Sequence, residues 1–340
     1  MHTYVKIDLN TVCTTFLLLV LSLGIPSGCG DDESSSADDG GVVDGSPGDA
    51  WLDALPVDGA PGDDARVHEW VTEEVEANRV EFRTFESAAI GQEVSYHIFV
   101  PQPYDNMEEE DFPVLYWLHG GGGGLPGIPV LSQHFAQAMQ AGLIPVMLVV
   151  FPNGLELGMW VDWKDGSVPM ETIVIHELIP HIDETFRTIA DRSGRIVEGF
   201  SMGGYGAARF AFKHHELFSA ASILGGGPLQ PEFVDAPRVD PERREQVFRD
   251  VYGEDMDYFY AVSPWGLAEE NAEEIIDTVR IRIAIGELDA TFQFNLDFHE
   301  HLTALGIPHE FFAAPDVGHD TMNLRNAMGD ELWDFYVWGD

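Results

Sequence analysis

Two things are scarce in this chain of 340 residues: cysteine, of which there are 2, and positive charge, with 17 Lys and Arg against 59 Asp and Glu. The formal net charge of -42 excludes nucleic acid as a partner, because a phosphate backbone would be repelled and no Lys/Arg cluster exists to neutralise it. The same charge favours solubility and suits a salty medium that screens self-repulsion. Cys13 adjoins the first apolar run and Cys29 lies at its far boundary, so the rest of the chain has no thiol to pair. Without disulfides the fold has to rest on a hydrophobic core, which 45% hydrophobic residues and 8 Trp can supply.

The first apolar run, "TTFLLLVLSLGI", follows a single Lys6 and is too short to span a bilayer comfortably. It leads into "PSGC", small residues ahead of Cys29. This resembles a bacterial lipoprotein signal, in which the cysteine becomes the lipidated first residue of the mature protein. Pro26 departs from that pattern, since such signals usually carry an aliphatic residue there. An ordinary secretory signal cut nearby is the alternative, and either one exports the chain. Residues 1–29 are therefore expected to be an export signal. Residues 30–67, rich in Gly, Ser, Pro and Asp and poor in apolar side chains, cannot bury enough surface to offset their chain entropy and are expected to be a disordered acidic linker. The folded domain is expected over 68–340.

Within that domain apolar strands alternate with amphipathic helices. "RVEFRTFES" and "EVSYHIFVP" predict two opening strands joined by a turn at "AAIGQ". "FPVLYWLHG", "IPVMLVVFP", "RIVEGF", "SAASILGG", "VRIRIAIG" and "PHEFFAAP" predict further strands, several apolar enough to be buried on both faces. "VLSQHFAQAMQAGL", "METIVIHELIPHIDETFRTI", "MGGYGAARFAFKHH" and "FQFNLDFHEHLTALG" predict helices, with Pro180 expected to kink or break the second. A last helix is expected around "LRNAMGDELWDFYVW", and the polar stretch 228–278 is expected to form a small cap. The alternation implies an α/β fold, a mostly parallel central sheet with helices on both faces.

The stretch "RIVEGFSMGGYGAARF" carries Gly-x-Ser-x-Gly between a buried strand and a small-residue helix. Such a junction forces a sharp turn that lifts the serine out of the sheet. Gly199 and Gly203 stand where a side chain would strike neighbouring backbone, and Ser201 would sit at a helix N-terminus, where N–H groups and the dipole favour developing negative charge. A serine hydroxyl needs a base, and the base needs an orienting acid. In this fold class the order is serine, acid, histidine. "IRIAIGELDAT" places Asp289 after one strand and "FFAAPDVGHDT" places His319 after the next. Glu287 competes for the acid role, whereas Asp316 and Asp320 are too close to His319 in sequence to reach behind its ring easily.

The oxyanion intermediate of acyl transfer needs two backbone donors. One is the amide of Met202, directly after the serine. The second is assigned to Gly121 in "LHGGGGG", whose glycines let backbone approach a substrate closely. That run lacks the Gly-Lys-Ser/Thr of a phosphate loop. "HELIPH" suggests a zinc helix, but His176 and His181 are five apart with Pro180 between them, so no metal is expected. The loop "NGLELGMWVDWKDGS" offers Met159, Trp160 and Trp163 either as an aromatic substrate wall or as packing residues.

Taken in order, "YWLHGGGGG", "GFSMGGYGA", "GELDAT" and "VGHD" resemble the Putative esterase family of α/β-hydrolases, which includes feruloyl esterase domains, esterase D-type enzymes, enterochelin esterases and mycolyltransferase antigens. The resemblance runs from about Arg79 to the C-terminus. It implies the α/β-hydrolase fold, Ser201 as nucleophile, His319 as base, Asp289 as acid, Gly121 and Met202 as oxyanion donors, and no cofactor. The expected activity is that of an exported serine esterase acting on a small-molecule or carbohydrate-linked ester, with the membrane touched only through the lipid on Cys29. The acidic surface disfavours anionic substrates. The alternatives are an acyltransferase that passes the same acyl group to a sugar, and a non-catalytic carbohydrate-binding lipoprotein.

Overall fold

The first two strands, β1 (Val80–Ser87) and β2 (Gln92–Phe99), form an antiparallel pair. Gly91, at φ 64°, makes the turn between them, and its N–H donates to the Ser87 carbonyl at 2.8 Å. The computed structural model describes residues 68–233 and 240–337. The expected export signal with Cys29 and the expected linker 30–67 lie outside the described residues.

After β2 the chain alternates: β3 (Val114–Leu118), α1 (Ile128–Gln140), β4 (Leu148–Pro152), then α2 (Met170–Thr172), which passes through a π-helical stretch (Ile173–Leu178) into α3 (Ile179–Thr185). Pro180 does not break this helix. It follows close on the π-helical stretch, whose wider turn takes up the irregularity left by its missing N–H. β5 (Arg195–Phe200), α4 (Met202–Lys213) and β6 (Ala220–Leu224) follow. Among the described residues the polar stretch holds four short helices, α5 (Pro241–Asp250), α6 (Met256–Val262), α7 (Pro264–Glu270) and α8 (Ala272–Thr278). Three of the four are capped by Asp240, Asp255 and Ser263, side chains that accept the otherwise unpaired N–H groups of a first turn. β7 (Arg280–Gly286), α9 (Phe292–Ala304), β8 (Glu310–Ala314), α10 (Thr321–Met328) and α11 (Glu331–Asp334) complete the order. The single C-terminal helix expected from the sequence is two, because Gly329 adopts φ 57° at the end of α10 and turns the chain.

The eight strands among the described residues form one sheet in the order β1-β2-β4-β3-β5-β6-β7-β8, antiparallel among β1, β2 and β4 and parallel from β4 onward. Strand alternation splits the core in two. Val114, Tyr116 and Leu118 of β3 join Val197, Ile281 and Ile283 under α4 and α9, while Leu115 and Trp117 join Ile196, Phe135 and Tyr336 under α1, α10 and α11. Each fully buried large apolar side chain, such as Phe135 or Phe210, contributes about 1.5–3 kcal/mol of transfer free energy. The parallel strands all end toward one edge of the sheet, so the loops after β3, β5, β7 and β8 converge there.

Candidate active site

Ser201 occupies the junction of β5 and α4 with φ 57° and ψ −121°, a conformation that a non-glycine residue holds only when its surroundings impose it. Those surroundings are glycines packed to backbone contact. A Cβ on Gly203 would stand 1.8 Å from the Leu118 carbonyl oxygen, and one on Gly199 would stand 2.2 Å from that of Gly203. The elbow is tied to the next strand by Ser201 N–H donating to the Leu224 carbonyl at 3.0 Å. α4 begins at Met202, so its N–H belongs to the first helical turn and has no acceptor within the helix.

Asp289 follows β7 and is buried, whereas its competitor Glu287 is exposed. Its Oδ2 lies 2.6 Å from Nδ1 of His319, and its Oδ1 accepts from both the backbone N–H and the hydroxyl of Thr291, each at 2.9 Å. Burial pushes the Asp289 carboxyl up, but the bond and charge of His319 and the two bonds from Thr291 outweigh it and hold the group below the ordinary carboxylate value. Asp320, next to His319, is spent as the N-cap of α10, accepting from Asn323 N–H at 2.7 Å. Asp316 is exposed in the turn before. The His319 ring packs 4.5 Å from that of Phe200, the residue before Ser201. No hydrogen bond joins the Ser201 hydroxyl to His319 among the described residues, the loose arrangement common before substrate binds.

Gly120 is in contact with the serine: a Cβ there would lie 3.3 Å from Ser201 Cβ and 3.8 Å from its Oγ. The loop from Gly120 onward is held by His119, a residue not singled out from the sequence. His119 Nε2 accepts the Gly154 N–H at 3.0 Å, which leaves the proton on Nδ1, where it faces the Gly120 carbonyl at 2.7 Å. A trans peptide points its N–H opposite to its C=O, so fixing the Gly120 carbonyl toward His119 turns the Gly121 N–H to the other side. Burial lowers the His119 pKa to about 4, which keeps the ring neutral and able to accept. The signal available in the sequence was its position at the strand end ahead of the glycine run.

The aromatic loop divides in a way the sequence did not reveal. Trp160 is 0% exposed, and its ring fills the space above two glycines, where a Cβ on Gly154 or Gly206 would come within 2.4 or 2.5 Å of it. Its Nε1–H donates to the His119 carbonyl at 3.1 Å. Trp160 is therefore a packing post beneath the loop and not part of a substrate wall, as is the buried Met159. Trp163 is half-buried and lines a cavity of about 700 Å³ with His68, Lys164, Asp165, Ser167, Arg249, Asp250 and Gly253. That cavity contains no residue of the Ser201–Asp289–His319 set. The helical insertion packs on the same loop, through Tyr258 OH donating to the Asp162 carbonyl at 2.6 Å and Arg243 paired with Glu156 at 3.1 Å. Leu288, beside Asp289, is 67% exposed and adds an apolar group to the histidine side. His181 pairs with Tyr96 OH at 3.1 Å, and His176 is exposed.

A mostly parallel sheet with a glycine-packed serine elbow, and an acid and a histidine paired on the loops of the last two strands, defines an α/β-hydrolase. The sequence profile of the family described as "Putative esterase" matches residues 87–304, and the chain belongs to that family. The chain is 28% identical over 268 residues to Esterase Rv1288 of Mycobacterium tuberculosis, a match covering 71% of this chain and 56% of that protein. It is 31% identical over 170 residues to an endo-1,4-beta-xylanase/feruloyl esterase of Xylanibacter ruminicola, covering 46% of this chain and 22% of that protein. The chain thus spans little more than half of the one relative and less than a quarter of the other. Among solved structures, a ferulic acid esterase matches with TM-score 0.64 at 22% identity, over 76% of this chain and 97% of that chain. The fluorophosphonate-binding serine hydrolase F of Staphylococcus aureus matches with TM-score 0.63 at 19% identity, over 77% and 100%. At these identities the two structures show a shared fold.

Proposed function

We propose that this chain is an exported serine esterase that cleaves carboxylic esters through an acyl-enzyme. The observation that carries the reading is the buried Asp289–His319 pair, closed at 2.6 Å, on a ring that packs against the residue preceding the elbow serine. In the first step His319 Nε2 takes the Ser201 proton as Oγ attacks the ester carbonyl carbon. The carbonyl oxygen becomes an oxyanion received by the N–H groups of Met202 and Gly121, and Asp289 holds the resulting imidazolium. His319 then protonates the leaving alkoxide, and the acyl group stays on Ser201. A water enters, gives its proton to His319 and attacks the acyl carbonyl, releasing acid and restoring the serine.

The substrate proposed is a neutral ester of an aryl acid or a short acyl group on a sugar. Leu288 offers an apolar contact beside Asp289, and the aromatic and polar lining at Trp163, a cavity apart from the triad, is assigned to the phenolic or sugar ring remote from the ester bond. The relatives named as feruloyl and ferulic acid esterases support the same class, and the charge of -42 disfavours anionic substrates. Export and lipidation at Cys29 are proposed from the apolar run and "PSGC" that precede the linker. Among the described residues no helix is long and apolar enough to cross a membrane.

The test is hydrolysis of p-nitrophenyl esters from acetate to octanoate and of methyl ferulate, by the chain and by Ser201→Ala. Wild-type turnover that disappears in Ser201→Ala is the expected result. Turnover by both, or by neither, removes the esterase reading. Transfer to a sugar acceptor by an otherwise inert wild type would put the acyltransferase in its place.

A further inference from the structure

We propose that the buried carboxylate of Glu198 is a positioning residue that holds the three triad-bearing segments in mutual register, an inference that rests on the Ser201–His319–Asp289 assignment above. Glu198 lies on β5, three residues before Ser201, and is fully buried. Its Oε2 accepts from Arg282 Nη2 at 3.2 Å, and Arg282 lies on β7, seven residues before Asp289. Its Oε1 accepts from Arg325 Nη1, and Arg325 lies on α10, six residues after His319. Tyr336, beyond α11, donates its hydroxyl to the same carboxylate. One side chain is thereby bonded to the strand that delivers the nucleophile, the strand that delivers the acid and the helix that follows the base.

The register of the sheet makes the convergence possible. Glu198 pairs with Ser222 on β6, and Ser222 pairs with Arg282 on β7, so the three side chains form a row across one face. Ser222 Oγ accepts from Arg282 Nη2 at 2.8 Å and completes the row. α10 and α11 close over that face. Arg282 also donates to the Leu332 carbonyl at 2.8 Å, which pins α11 to β7.

Stability alone accounts poorly for this cluster. Two buried guanidiniums face one carboxylate, and well-packed apolar residues of the same volume are often as stable or more so. The excess positive charge is accommodated by aromatic faces: Arg282 lies 4.2 Å from the Phe335 ring centroid, and Arg325 lies 4.7 Å from that of Phe135 and 5.4 Å from that of Trp117. What ionic bonds give that apolar packing does not is direction, a fixed distance and angle between elements. Triad chemistry depends on such angles, because a misplacement of an ångström in a reacting group is costly.

The experiment measures kcat, KM and the pH dependence of kcat/KM on p-nitrophenyl acetate with the full chain, below each variant's unfolding temperature, for Glu198→Gln, Arg282→Met, Arg282→Lys and Ser201→Ala. Arg282→Met cuts the link to the Asp289 strand while leaving Glu198 and Arg325 charge-balanced, so it decides the matter if Glu198→Gln does not fold. The expected result is a kcat lower by about tenfold to a hundredfold with KM within about twofold. The acid limb of kcat/KM is expected to move to lower pH as His319 loses the support of Asp289, and Arg282→Lys is expected to recover most of the loss. Variants that melt earlier but keep wild-type kcat and the wild-type acid limb would reduce the cluster to ordinary packing and overturn the proposal, with Ser201→Ala inactive and the triad reading intact. A fully active Ser201→Ala would instead remove the triad reading and the positioning role with it.

Discussion

The Asp289 carboxylate is shared between two residues of different purpose, His319 at 2.6 Å on one oxygen and Thr291 at 2.9 Å on the other. Thr291 opens the helix that follows, so the acid is oriented by its own loop before the histidine arrives. Asp289→Asn keeps the shape but offers an amide N–H where Nδ1–H needs an acceptor. It is expected to lower kcat by roughly 10⁴-fold with little change in KM. Glu287→Gln, at the exposed neighbour, is expected to leave kcat within about twofold. Steady-state kinetics on one p-nitrophenyl ester settles both.

Acid stability follows from the buried histidines. Burial lowers His119 and His97 to about 4, and burial together with the Arg325 charge does the same for His134, against an ordinary 6.5. Between these values the unfolded chain takes up protons that the folded chain refuses, so the histidine contribution to stability is full above pH 6.5 and falls as the pH drops to about 4; below that the lowered carboxylates such as Asp289 take over and stability falls further. For the buried His119 and His97 the loss is at most on the order of 3 kcal/mol each, and for the half-buried His134 it is smaller. Urea denaturation across this window is expected to show the slope, and His119→Gln is expected to shrink it. A flat profile would mean that these rings are protonated in the fold.

The glycine elbow gives a steric prediction. Gly203→Ala places a methyl 1.8 Å from the Leu118 carbonyl oxygen, and backbone cannot yield there without moving the end of β3 and with it the Gly120–Gly121 loop. Overpacking of this kind costs about 1–3 kcal/mol, and displacement of the Gly121 N–H, the proposed oxyanion donor, is expected to lower kcat by about 10²-fold or more. Gly123→Ala has open space around it and is strained only by its φ of 89°, so its effect on kcat is expected to be far smaller. Melting temperature and kcat, read together, separate the two.

The order of strands and helices was legible because each strand is a short apolar run punctuated by Gly or Pro, and Ser201, Asp289 and His319 could be singled out as candidates because each stands at the end of such a run. Other features carry no local signal. Trp160 and Trp163 sit three residues apart in one loop, yet one is enclosed between Gly154 and Gly206 and the other borders a cavity, a difference made by residues from another part of the chain. Glu198 reads as one charge in "RIVEGF", and nothing near it announces Arg282 or Arg325, whose approach depends on sheet register and on where α10 lands. The split of the last helix was written locally, in Gly329, and was hidden by the helical periodicity on both sides of it.

The two tryptophans also yield the sharpest separation of packing from binding. Trp160→Ala removes a ring with no exposed surface and is expected to destabilise the fold by about 3–5 kcal/mol. The milder Trp160→Phe strands the buried His119 carbonyl without its donor at a cost of about 1–3 kcal/mol. Neither variant is expected to distinguish methyl ferulate from p-nitrophenyl acetate, because Trp160 touches no substrate. Trp163→Ala exchanges a half-buried ring on a cavity wall that packs partly on the core, and is expected to cost less stability than Trp160→Ala. Its effect is expected in KM for methyl ferulate, raised about fivefold by loss of a ring contact worth roughly 1 kcal/mol, with the acetate ester unaffected. Equal KM values for wild type and Trp163→Ala on both esters would place the aryl group elsewhere, with the exposed Leu288 as the next residue to change.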